Sequence, residues 1–234
     1  MVRAYLYLAV FTPLTLLFSV SAFIWSFFDP SGRMYAWHAR LWARLALALN
    51  FVRVTVAGVE HIPDGPVIFM SNHQSNFDIL ALLAGMPRRI YWIAKKELFA
   101  IPVFGPSMRR GGYIPLDRTD GRKALKSMDN AAAIIRDGKS VVMFPEGTRS
   151  KDCGLLPFKR GGFLLALRAG VPVVPITING SGRINPAGRI RLHGGTISIT
   201  LHPPLTKPQN LSKGEAETRM MELVRGTISS ALEH

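Results

Sequence analysis

Twenty-five consecutive residues near the start of the chain, Ala4 to Phe28, carry no formal charge and are rich in Leu, Phe, Val and Tyr. As one helix they would extend about 38 Å, more than the roughly 30 Å of a bilayer's hydrocarbon core. A run this long and apolar exceeds what a core helix normally needs, so lipid is the expected neighbour. No small-residue cleavage site follows it, which argues against a cleaved signal peptide. Asp29-Pro30-Ser31-Gly32 breaks the helix. From Arg33 to Asn50 the pattern predicts a second, amphipathic helix. Arg33, Arg40 and Arg44 form a basic stripe, with Met34, Leu41, Trp42, Leu45 and Leu49 on the other side. That helix is too charged to span, and its stripe, with Trp37 and Trp42, suits the headgroup level. Two geometries fit: the first helix crosses the bilayer, or both helices form a hairpin in one leaflet. Arg3 flanks the first helix on its N-terminal side, whereas Arg33, Arg40, Arg44 and Arg53 follow it. Both geometries therefore leave the rest of the chain on the cytoplasmic face of the inner (plasma) membrane.

The 234 residues suffice for one sizeable core plus this appendage, with residues 1–52 as membrane-associating helices and 53–231 as the main domain. Leu232-Glu233-His234 resembles the start of a purification tag, so 232–234 stand outside the fold argument. Lys and Arg outnumber Asp and Glu by 29 to 15, a balance of +14 that calls for an anionic partner. Nucleic acid would meet that charge but would leave the uncharged N-terminal run unexplained; an anionic membrane accounts for both. One cysteine, Cys153, excludes an intramolecular disulfide and fits a reducing or cytoplasm-facing setting.

After Asn50, short β-branched runs alternate with helical stretches. Residues 51–56, 66–70, 90–94, 112–116, 140–144, 173–178 and 196–201 read as strands. Helices are expected over 77–84, 122–136, 162–169 and 212–231; in the second, Leu125, Met128, Ala132 and Ile135 mark one core face. The alternation predicts an α/β fold with a largely parallel mixed central sheet flanked by helices. Such sheets carry their functional loops at the C-terminal ends of the strands.

Two of those loops bear chemistry. Asn72-His73-Gln74-Ser75-Asn76-Phe77-Asp78 lies between an apolar strand and a helix. Five residues turn about 500° on a helix, so His73 and Asp78 can meet only if His73 sits in the loop and the chain folds back. They would then make a general base and the acid that orients it, although Ser75-x-x-Asp78 also reads as a plain capping box. In Phe144-Pro145-Glu146-Gly147-Thr148-Arg149-Ser150, Pro145 stops strand pairing and Gly147 lets backbone N–H groups approach a ligand. Glu146 can hold a hydroxyl, and Thr148 and Arg149 can donate to phosphate oxygens.

Together these motifs resemble the glycerolipid acyltransferases, specifically the 1-acyl-sn-glycerol-3-phosphate acyltransferase family. Ala94-Lys95-Lys96-Glu97-Leu98, Gly112-Tyr113-Ile114-Pro115-Leu116-Asp117-Arg118, Phe158-Lys159-Arg160-Gly161-Gly162 and Val171-Pro172-Val173-Val174-Pro175-Ile176 extend the likeness in order over roughly residues 54–205. Gly105-Pro106 departs from the Gly-Trp of many relatives and touches the acyl pocket rather than the reaction.

The resemblance implies transfer of a fatty acyl group from a thioester, acyl-CoA or acyl-acyl-carrier-protein, to the free sn-2 hydroxyl of lysophosphatidic acid, making phosphatidic acid in phospholipid biosynthesis. Glycerol 3-phosphate, a lyso-ornithine lipid or another lysophospholipid is the alternative acceptor. It implies His73 and Asp78 as the catalytic pair, Arg118 and Arg149 as phosphate ligands, and Lys95 and Lys159 behind them. Glu146, Gly147 and Thr148 would line the substrate. Imidazole suits the base because it titrates near neutrality. The resemblance favours the one-leaflet hairpin; the basic surface would also suit acyl carrier protein as a partner, and no metal, resident cofactor or nucleic acid is expected. A Cys153–His73 hydrolase, or a metal held by His73, Asp78 and His193 or His202, is the rival chemistry, without the usual microenvironment or ligand spacing.

Overall fold

The β-branched runs pair into one sheet in the computed structural model, which describes residues 2–117, 121–188 and 191–233. Its strands are β1 (Val52–Ala57), β2 (Ile68–Ser71), β3 (Tyr91–Lys95), β4 (Ile114–Leu116), β5 (Val141–Met143), β6 (Val173–Asn179) and β7 (Gly195–Leu201). Their order is β1-β7-β6-β2-β5-β3-β4. The pairs are parallel except β6–β7, so β1 and β7 run against the other five. β2, β5 and β6 are buried at every position, as central strands covered on both faces must be.

The helices are α1 (Val2–Trp25), α2 (Arg33–Leu49), α3 (Phe77–Gly85), α4 (Phe104–Arg110), α5 (Gly121–Arg136), α6 (Arg160–Ala169), α7 (Ser181–Ile184) and α8 (Lys213–Ser230). Strand alternation sorts the core into two layers. Phe69, Val142 and Val174 pack with Leu47 of α2 and Leu80 of α3. Ile68, Met70, Val141 and Met143 pack with Ile135 of α5, Phe163 of α6 and Val224 of α8. Leu125, expected on the core face of α5, is 44% exposed, because the buried contacts of that helix begin one turn later. β1 starts at Val52, and Phe51 stands outside it at φ 55. Leu232 and Glu233 are tied to the fold: Leu232 is buried, and the Glu233 N–H donates to Asn179 Oδ1 at 3.0 Å.

α1 is long and apolar enough to cross a membrane by length and composition, yet it lies along α2. Arg3 Nη2 donates to Asn50 O at one end (2.8 Å), and Ser21 Oγ meets His38 Nε2 at 2.9 Å. At the turn, Arg89 Nη1 of the main domain donates to Ser31 O at 2.7 Å. Trp42 faces α1: its ring lies tilted beside Phe11, and Nε1 donates to Thr15 Oγ1 at 3.0 Å. An indole N–H inside the hairpin needs that acceptor. Trp37 stays exposed, as does an apolar face of α1 that includes Leu6, Val10 and Leu17.

Candidate active site

β2 and β5 are neighbours in register, Met70 beside Met143, so the segments that follow them leave the same edge of the sheet together. β3 pairs on the far side of β5 and ends at Lys95 on that edge. Three adjacent strands thus bring the His73 loop, the 144–150 turn and Lys95 to one place.

The His73 loop is held by buried polar side chains. Asn72 is 1% exposed, and its amide makes a two-point clamp on β6: Nδ2 donates to Ile178 O and Oδ1 accepts from Ile178 N–H, both at 2.8 Å. His73 Nδ1 lies 2.8 Å from Asp78 Oδ2, and the same oxygen accepts the backbone N–H groups of Gln74 (2.8 Å) and Ser75 (2.9 Å). Asp78 therefore fixes the loop that leads into α3 and orients the imidazole at once. Its carboxylate is fully buried and sits in the first helical turn, where the backbone dipoles favour negative charge. With Nδ1 facing an acid, the ring carries its proton there and leaves Nε2 as the acceptor. Phe144 stacks on the ring at 3.8 Å between centroids and 6° between planes.

Glu146 is 2% exposed. Its Oε1 accepts the His73 backbone N–H at 2.8 Å and its Oε2 accepts the Leu156 N–H at 3.1 Å. Ser150 N–H returns the tie by donating to His73 O at 2.8 Å. Burial pushes the Glu146 carboxyl up to about 7, and the nearby Asp78 charge adds to that. The two backbone N–H bonds and Arg225 pull the other way. Glu146 Oε1 thus joins the two motifs, and Oε2 ties them to the segment at Leu156.

Gly147 adopts φ +71, a conformation that costs glycine little, and the stem and ammonium of Lys159 lie across the space a Cβ would fill. Its N–H is spent on Phe144 O at 3.1 Å. Among the described residues, the N–H groups of Thr148 and Arg149 have no such partner, so they are the turn's available donors. Thr148 is exposed and Arg149 half-buried. Lys95, Arg149 and Lys159 pair with no carboxylate among the described residues, whereas Lys96 is held by Asp117 at 3.1 Å. Arg118, next in the chain, lies outside the described residues. Of the remaining basic residues, Arg160 is committed to Glu217 at 2.7 Å, and Arg110 sits over the Phe27 ring at 4.0 Å. The Cys153 thiol is pushed up by burial, which disfavours a nucleophilic thiolate.

His73, Lys95, Phe144 and Gly147 stand around an apolar cavity of about 330 Å³. Its walls combine Trp92, Met108 and Met143 of the main domain with Phe18 and Ala22 of α1 and Trp42 of α2. The N-terminal helices therefore complete the site, which their composition alone does not reveal. Neither the Asn72 clamp nor the Phe144 stack is legible beforehand, since each depends on strand neighbours far away in sequence. The only signal for them is that Asn72 and Phe144 flank the two motifs.

A family model described as Acyltransferase matches residues 53–179. A chloroplast 1-acyl-sn-glycerol-3-phosphate acyltransferase of Brassica napus is 41% identical over 170 residues, covering 71% of this chain and 49% of the relative. The corresponding enzyme of Pseudomonas aeruginosa is 33% identical over 220 residues, covering 89% of this chain and 83% of that one. The crystal structure of the 1-acyl-sn-glycerophosphate (LPA) acyltransferase PlsC from Thermotoga maritima superposes with a TM-score of 0.83 at 27% identity, over 99% of this chain and 95% of that one. The chain spans about half the length of the plant relatives it matches. A paired histidine and aspartate at the strand ends, a family match over more than half of the sequence and a shared fold agree: the chain belongs to the acyltransferase family.

Proposed function

We propose that this protein transfers a fatty acyl group from a thioester to the sn-2 hydroxyl of 1-acyl-glycerol 3-phosphate, making phosphatidic acid. The observation that carries this reading is the His73–Asp78 pair, 2.8 Å apart, with His73 on the wall of an apolar cavity that Lys95 also lines. His73 Nε2 takes the proton of the acceptor hydroxyl as its oxygen attacks the thioester carbonyl. The C–O bond forms, the C–S bond breaks, and the proton passes from His73 to the departing thiolate. Asp78 holds the Nδ1 proton and stabilises the imidazolium. The N–H groups of Thr148 and Arg149 are the donors in this turn that would meet the oxyanion. Arg149 and Arg118, with Lys95 and Lys159, hold the phosphate, because guanidinium forms a bidentate fork with it. No nucleophilic side chain is required, since the alcohol attacks directly.

The names of the relatives support this acceptor, and the apolar cavity supports a long acyl chain. The carrier of the thioester is coenzyme A or acyl carrier protein, the latter an acidic partner for a basic surface. The ties of the hairpin to the main domain, at Ser31 and between Arg3 and Asn50, support a reading in which α1 lies in one leaflet rather than crossing. That leaves the main domain on the cytoplasmic face with anionic lipid beneath it. An assay of purified protein with labelled acyl-CoA and labelled acyl-carrier-protein against a panel of lysolipids tests the reading. Turnover of lysophosphatidic acid above glycerol 3-phosphate, lyso-ornithine lipid and other lysophospholipids is expected. Preference for one of the others would replace the acceptor named here.

A further inference from the structure

A second cavity, of about 300 Å³, lies where the first turns of α2 meet the segment after α3. Arg33 and Arg40 of α2 face Arg88 and Arg89 across it. None of His73, Lys95 or Gly147 takes part; Tyr35, Ala39, Leu83 and Tyr113 line both cavities and so form the wall between them. Four guanidinium groups in one concavity repel one another, and an unpaired guanidinium out of full water contact is costly. Arg40, Arg88 and Arg89 are half-buried, yet among the described residues no carboxylate forms an ion pair with any of the four.

The groups are held in place by neutral carbonyls instead. Arg40 Nη2 donates to Met86 O (2.6 Å), Arg88 to Pro63 O and Gly65 O (3.2 and 2.9 Å), and Arg89 to Ser31 O and Gly111 O (2.7 and 3.2 Å). Among the described residues, the Arg33 side chain bonds only Ser31 Oγ, through Nε at 3.2 Å. Asp29 is near enough to feel the Arg33 charge, but its oxygens already accept from Ser31 and from the Met34 N–H. Carbonyls fix the orientation of a guanidinium without neutralising it, and each Arg keeps unspent N–H donors. The cavity is thus a preorganised receptor for a phosphate oxyanion.

We infer that this cavity is a second anion site, separate from the catalytic one, and that it takes the phosphate of an anionic phospholipid headgroup. A lipid source rather than free phosphate follows from the walls. One side is the α2 face that carries Trp37, 55% exposed on the rim, and the turn preceding it bears Phe28, 75% exposed. A headgroup entering here would be followed by glycerol and acyl chains lying against those rings. This site would dock the hairpin and the Met86–Ile90 segment onto the same lipid. The inference does not depend on the acceptor proposed above, because it concerns residues outside the reaction.

The test uses the full chain carrying His73→Ala, so that turnover does not alter the vesicles. Binding is measured by cosedimentation with phosphatidylcholine vesicles, with and without phosphatidylglycerol, and by titration with inorganic phosphate without vesicles. Arg33→Lys/Arg40→Lys keeps every charge but removes the fork geometry. It should weaken binding to the phosphatidylglycerol vesicles about tenfold and leave phosphatidylcholine binding unchanged. Arg33→Lys alone, which disturbs a contact only within its own turn, should give a smaller loss in the same direction and covers the case of a poorly folded double variant. Unchanged partition in both variants would overturn the inference, because diffuse attraction depends on charge and not on guanidinium shape. Tight inorganic phosphate binding that the Lys substitutions abolish, with vesicle partition untouched, would overturn the lipid source.

Discussion

The Glu146 carboxylate accepts the backbone N–H of His73 at 2.8 Å, so the acid of one motif carries the loop that bears the base of the other. The same carboxylate reaches Leu156 N–H with its second oxygen, and Arg225 holds the carbonyls of Leu155 and Leu156 from α8. A chain of contacts therefore runs from the C-terminal helix to the imidazole.

That buried position has a consequence for stability. A carboxyl raised to about 7 in the folded chain, against 4.5 when free, binds its proton more tightly when folded. Its stabilising contribution is full below about pH 4.5 and is lost as pH rises through about 7, by roughly 3 kcal/mol. Glu146→Gln keeps an acceptor for His73 N–H and abolishes the titration. In urea denaturation the variant should gain stability relative to the parent as pH rises across that window. A difference that stays constant with pH would show that Glu146 titrates normally.

Arg149 has no acidic partner among the described residues and belongs to the turn that grips the His73 loop. Arg149→Ala should raise the KM for the phosphorylated acceptor by roughly tenfold or more, the worth of a hydrogen bond to a charged group, while changing the donor's KM little. Steady-state kinetics with each substrate varied in turn separates the two. An equal rise in both would place Arg149 away from the phosphate.

Leu83 lines the apolar cavity from α3. Leu83→Trp should shorten the longest acyl chain accepted. Each methylene displaced costs about 0.8 kcal/mol, so donors one carbon too long should lose roughly fourfold in kcat/KM. A ladder of saturated acyl donors gives the readout, and an unshifted optimum would mean that the chain does not run past this residue.

The α/β alternation was legible because buried parallel strands need continuous β-branched runs, and Val141-Val142 and Val173-Val174 supply them. The reversed edge formed by β1 and β7 was not legible: β7 turns back against β6, its neighbour in sequence, and takes as its parallel partner β1, more than a hundred residues away. α4 was hidden by Gly105-Pro106, which reads locally as a turn; in the fold, Pro106 sits in the first turn, where a missing N–H costs nothing. His73 and Asp78 could be paired beforehand because only a loop position lets residues five apart meet. The apolar run of α1 pointed to lipid, but its second role, as a wall of the cavity beside His73, depends on packing that composition does not encode. The same holds for Trp42, whose amphipathic ring suits an interface and is instead satisfied by Thr15.

The account rests most directly on the proton taken by His73. With lysophosphatidic acid and a labelled acyl thioester, kcat of the full chain carrying His73→Ala should fall by roughly 10²–10⁴-fold with vesicle binding intact, and Asp78→Asn should fall within the same range. Turnover of His73→Ala close to that of the parent would contradict it.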